Sequence, residues 1–163
     1  MEHVQPYLEQ MVGQMSLLSS TELMQPQNLY LYQPMHAEYD VRFGGRKDAR
    51  QIAALFKTAR ERLADVTDGF YMMALIDTLE KMDDQLYEHY RVLADLLLEA
   101  AQQALHTQDV RCQYALMKGV RLGLLDPEKY LPAAHAAFEK AQCTLQNQDY
   151  YRLAQDEYGR TKQ

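Results

Sequence analysis

An all-α protein built from stacked antiparallel helix hairpins is the fold this sequence predicts, on three observations. Glycine and proline are scarce, at 7 and 5 of 163 residues, while the helix formers Ala, Leu, Gln, Glu and Met are plentiful. No window sustains the apolar–polar alternation of a half-buried strand. One-sided helices alternate with a helix that is apolar almost all round, the pattern of outer and inner members of hairpins that bury their faces against one another. The length suits one domain, 1–163, and the 47% hydrophobic and 25% charged residues suit a folded chain.

The periodicity predicts helices at about 4–18, 30–42, 47–64, 70–82, 85–107, 110–124, 127–146 and 148–158. In 47–64, Ile52, Leu55, Phe56, Ala59 and Leu63 fall on one face, with Arg50, Lys57, Arg60 and Glu61 on the other. In 70–82, Tyr71 through Ile76 and Leu79 leave almost no polar side, which predicts a central helix. Asp84 reads as the N-cap of 85–107, which should bury Leu86, Tyr90, Leu93, Leu97 and Leu98. Arg91, Asp95 and Glu99 recur along that helix and exclude it as a membrane span. After 110–124 comes the corner LGLLDPEKY: Asp126 caps, Pro127 takes the first helical position and Glu128 suits the positive helix end. The last segment, DYYRLAQDEYGRTKQ, reads as a capping helix or a polar tail. The expected core includes Leu55, Phe56, Tyr71, Leu75, Leu79, Leu93, Leu97, Leu116 and Phe138.

Composition excludes several function classes. A net charge of -6 without a basic stripe argues against a nucleic-acid surface. No apolar run approaches the ~18 residues of a membrane helix, and the N-terminus does not resemble a signal peptide, so a cytoplasmic protein off the membrane is expected. Cys112 and Cys143 are too few for a disulfide framework and read as two buried free thiols. Metal-ligand spacing, a phosphate loop and a nucleophile triad are absent from the sequence, so no metal or cofactor is expected.

Three stretches carry a resemblance. YALMKGVRLGLLDPEKYLPAAHAAFEKA looks like a characteristic corner of the unsaturated rhamnogalacturonyl and unsaturated glucuronyl hydrolases. GFYMMALIDTLEKMDD is similar to their glycine-tryptophan-tyrosine-alanine-methionine-alanine-leucine segment, and LYLYQPMHAEYDVRFGGRKDARQIAALF to their substrate-side helix and its successor. In order, these matches run with gaps over roughly residues 25–140. The resemblance implies a partial (α/α) toroid, about half of the six-hairpin glycosidase barrel, and carbohydrate metabolism by descent.

The same comparison implies impaired catalysis. The family protonates the double bond of an unsaturated uronic acid with an aspartate just before a leucine-tyrosine-methionine run. Here PQNLYLY puts Gln27 or Asn28 at that place, and an amide cannot give and take the proton. Phe70 stands at a sugar-stacking tryptophan position, and the chain has no tryptophan. LADVTDGFYMM and LHTQDVRCQYALMKG omit segments that carry two walls of the family's pocket.

Tyr30, Tyr32, His36, Asp68 and Phe70 are the candidate saccharide-binding residues. Each has a plainer reading beside it. Tyr30, Tyr32 and Tyr39 at helical spacing suit a core as well as a stacking groove. His36 with Glu38 and Asp40 suggests a replacement acid–base pair, but residues two apart do not share a helix face, so exposed helix residues are favoured. Asp68 reads first as a turn residue or N-cap. His89 and His106 read as structural or solvent-facing.

Two functions follow as expectations. One is a shortened, catalytically impaired uronyl-hydrolase relative that takes an unsaturated oligosaccharide. The other is a helical protein–protein interaction module without enzymatic activity. An arc of hairpins would also leave apolar flanks, from which a two-fold homodimer is expected.

Overall fold

The computed structural model describes residues 4–83 and 87–162. Every regular element in it is helical: α1 (Val4–Met15), α2 (Ser20–Leu23), α3 (Pro26–Arg42), α4 (Ala49–Arg62), α5 (Gly69–Lys81), α6 (Tyr87–Gln103), α7 (Val110–Arg121), α8 (Pro127–Lys140) and α9 (Gln148–Thr161). The expected cap Asp84 and the expected core residue Leu86 lie outside the described residues.

Helix ends follow local chemistry. Asp68, Asp109 and Asp126 cap α5, α7 and α8, each accepting a backbone N–H of the first turn. Ser19 and Glu22 close a capping box on α2, an element the periodicity did not reveal because it is a single turn. Pro26 occupies the first position of α3, so that helix begins before residue 30. Helix α4 starts later than expected because the buried Asp40 carboxylate accepts both Lys47 N–H and Asp48 N–H and holds that stretch as a loop. Helix α8 stops at Lys140 instead of running to 146. Asn147 Nδ2 donates to Gln142 O, and Asn147 and Thr144 exchange side-chain–backbone bonds, which fold 141–147 into a turn.

The corner after α7 is a Schellman closure. Gly123 N–H donates to Val120 O and Leu124 N–H to Gly119 O, with Gly123 at φ 79°. The turn drops Leu125 onto Gly119, where an added Cβ would sit 2.6 Å from Leu125 Cδ1. Leu125 and Tyr130 are consequently buried and fix α8 against α7.

Helices α1, α3, α5, α7 and α9 pack in a row, with α4 against α3 and α6, α6 against α5, and α8 against α7 and α9. The row is parallel from α3 to α9. At one end Phe70 of α5 lies near Tyr30 of α3, Arg111 of α7 and Tyr150 of α9. At the other end Glu38 pairs with Lys81, Lys118 with Glu80, and Arg121 with Glu157. Helix α8 runs against α9, with Phe138 on Tyr151 and His135 on Tyr158.

Helix α5 is central. Tyr71 through Ile76, Thr78 and Leu79 are buried, and Tyr71 OH donates to Phe56 O of α4 at 3.1 Å. The expected core is buried except Leu55, which is half-buried against a cavity described below. Leu98 is a correction: it is 40% exposed, because the packed face of α6 is Leu93, Leu96, Leu97, Ala100 and Ala101, and position 98 turns away from it.

Among the described residues the apolar flanks behind the dimer expectation do not appear. The outer residues of α9, including Arg152, Gln155, Asp156 and Arg160, are polar, as are Gln5, Glu9, Gln10 and Gln14 of α1. The exposed large apolar side chains Tyr7, Leu17, Leu31, Tyr87, Leu98 and Leu145 are spread over five segments of the chain. Among the described residues no helix is long and apolar enough to cross a membrane.

The two thiols differ, correcting the expectation that both are buried. Cys112 is buried and donates to Thr67 O, whereas Cys143 is exposed on the 141–147 turn. Burial, aided by the Asp109 charge, pushes the Cys112 thiol from 9.0 to about 12. A folded pKa above the unfolded one stabilises relative to higher pH: its contribution is complete below pH 9 and is lost as pH rises toward 12. Tyr30, raised by burial from 10.0 to about 12, acts in the same sense. At neutral pH a thiol reagent should label Cys143 alone, and stability should fall between pH 9 and 12. Equal labelling rates for both thiols in the native protein would contradict this burial.

Candidate functional site

The parallel row brings the first turns of α3, α5, α7 and α9 to one end of the molecule, around a cavity of about 430 Å³. Each element supplies a side chain because its N-terminus is fixed there. Gln27 comes from α3, Phe70 from α5, Arg111 from α7 with Gln108 and the cap Asp109 before it, and Tyr150 from α9 with Gln146 and Asn147 before it.

A cation–carboxylate pair dominates the wall. Arg111 Nε and Nη2 donate to Asp109 Oδ1 and Oδ2 at 3.1 and 2.7 Å, while Asp109 Oδ1 also caps α7 through Arg111 N–H at 2.9 Å. Hydrogen bonding to Asp109 holds the Arg111 guanidinium above its ordinary pKa despite burial. The guanidinium lies 4.5 Å from the Phe70 ring centroid, and Tyr150 meets Phe70 edge-on at 5.4 Å. Gly69 makes room for this cluster: a Cβ there would sit 2.5 Å from Arg111 Nε and 2.8 Å from Asp109 Oδ2. Asp68 joins the electrostatic surroundings of Arg111 while capping α5 through Tyr71 N–H, in line with its plainer reading as a cap.

The sequence candidates divide. Gln27 and Phe70 meet in the cavity wall, and Tyr30 backs it with its ring 6.0 Å from Phe70. Phe70 is less free than a stacking platform requires, since Arg111 covers its ring. Asn28 turns away to donate to Glu22 O. Tyr32 and His36 do not line this cavity. Contrary to the exposed reading, His36 is 4% exposed, and its Nε2 lies 3.1 Å from Asp48 Oδ2. Neither neighbour forms a catalytic pair with it: Asp40 is spent on the loop N–H groups, and Glu38 pairs with Arg42 and Lys81. Helix geometry separates i from i+2, while the 43–48 loop delivers Asp48 instead.

Sequence reasoning missed Arg111, Asp109, Asn147 and Tyr150. Asp109 before a helical run carried a cap signal, but nothing local said that this cap would face Gln27 some eighty positions earlier. Among the described residues no group of His, Cys, Asp and Glu is arranged to hold a metal ion. Comparison with protein-family models, characterised proteins and solved structures finds no match. The site therefore has to be read from its own chemistry. It offers four amides, a neutralised Arg–Asp pair and two aromatic rings. Such groups donate and accept side by side, as neighbouring hydroxyls require, and the carboxylate in the wall is already committed to Arg111 and the α7 cap.

Proposed function

We propose that the chain is a saccharide-binding, non-hydrolytic relative of the unsaturated uronyl hydrolases, whose hairpins form an arc of the family's toroid. One observation carries the reading. Gln27 and Phe70, which the resemblance puts at the acid and ring-stacking positions, lie in one cavity with Arg111, Asp109, Asn147 and Tyr150. Amides and the Arg–Asp pair suit vicinal hydroxyls, and the spare Nη1 donors of Arg111 suit a uronate carboxylate. Protonating the enol ether requires a carboxylic acid that can exchange its proton. Gln27 has none, and both oxygens of Asp109 already accept from Arg111.

The test uses an unsaturated glucuronyl disaccharide. Its double-bond absorbance should stay constant on prolonged incubation, while backbone amide resonances of Phe70, Arg111 and Tyr150 shift with saturation. Gly69→Ala, which pushes Arg111 off Asp109, should weaken that binding about tenfold, the worth of a lost charged hydrogen bond. Decay of the absorbance would overturn the non-hydrolytic part. The absence of any shift at millimolar disaccharide would overturn the saccharide reading.

A further inference from the structure

A second cavity, of about 420 Å³, lies between the α1–α2 turn, α3 and α4 and shares no residue with the first. Its walls are mostly apolar, from Met15, Leu23, Met24, Ile52 and Leu55. Ser20, Gln51, Thr58 and Arg62 are its exposed polar lining, whereas one buried wall residue has a polar atom without a partner. Gln33 is 1% exposed, and its Oε1 accepts no hydrogen bond although it is buried. Its Nε2 donates to Met15 Sδ at 3.5 Å. Turning the amide over would face the oxygen toward a thioether, which has no proton to give, so an acceptor goes unpaired in both orientations. Buried acceptors are normally paired, and leaving one unmade is a cost that a ligand donor would remove.

The other buried polar group in the wall, His36, is oriented by its contact with Asp48, which leaves Gln33 Oε1 as the buried polar atom of the wall without a partner. A cavity of this volume with mostly apolar walls and a few convergent polar groups is the usual form of a small-molecule site. We propose that this cavity binds a small apolar-bodied molecule carrying a single O–H or N–H donor, of the phenol or indole class, with the donor on Gln33 Oε1 and the ring against Leu23, Ile52 and Leu55.

Phenol and toluene, alike in shape but not in donor, test this on the whole protein. Methyl resonances of Met15, Leu23 and Ile52 should shift with either probe, phenol binding about threefold or more tighter despite being better hydrated. Gln33→Met keeps the volume and removes the acceptor, so the preference should reverse in favour of toluene. Ala54→Phe, at an exposed wall position, should block both probes and serves if Gln33→Met does not fold. The proposal is overturned if neither probe shifts those methyls, if toluene binds the native protein as tightly as phenol, or if Ala54→Phe leaves binding unchanged.

Discussion

Lys118→Met is expected to cost about 4 kcal/mol of stability, the range found when one partner of a buried ion pair is removed. Lys118 is 5% exposed, and its ammonium places its three protons on Asp77 Oδ1, Glu80 Oε1 and Tyr114 OH at 2.7, 2.9 and 2.9 Å. Tyr114 in turn donates to Asp77 at 2.6 Å. Methionine fills the same space, so the loss measures charge and not volume. Asp77 is left with one neutral donor in a site that is largely dry, whereas Glu80 is better solvated and loses less. Chemical denaturation should show a lower midpoint at unchanged slope. Adding Asp77→Leu and Tyr114→Phe should recover most of the loss, because a fully apolar replacement strands no polar group. A Lys118→Met loss below about 1 kcal/mol would mean that water reaches the site and that the pair is worth no more than a surface contact.

Leu75→Ala comes next, with an expected loss of about 3 kcal/mol, the middle of the range for emptying a packed core site. Leu75 is 0% exposed on α5, a helix that touches α3, α6 and α7, so the neighbours on several sides cannot all close the gap. For a chain of this length the melting temperature should fall by about 10 °C. Leu98→Ala, on the outward side of α6, is the control and should change stability by about 0.5 kcal/mol or less. Similar losses at both positions would contradict the central place of α5.

If Gly69→Ala weakens disaccharide binding without a fall in melting temperature comparable to that of Leu75→Ala, the effect belongs to the Arg111–Asp109 cluster and not to the fold. Phenol binding in the second cavity should then persist, since the two cavities have no wall in common.

By itself the sequence determined the helical class, the central helix and the corner after α7. Each of these is written in local terms: an uninterrupted apolar run from Tyr71 to Ile76, an Asp-Pro cap at 126–127, and a glycine at 123 where a left-handed turn must close. It also supplied Gln27 and Phe70, through a resemblance that points at positions and not at contacts. The tertiary structure alone decided what those positions meet. Arg111, Asp109 and Tyr150 join them because helices α3, α5, α7 and α9 pack parallel, and parallel packing gathers first turns from distant parts of the chain at one end. The fate of His36 was equally out of reach, since burial and its bond to Asp48 depend on a loop held by Asp40. Periodicity follows one helix at a time, whereas a site depends on the rotation and stagger of several, which are set by close packing between them.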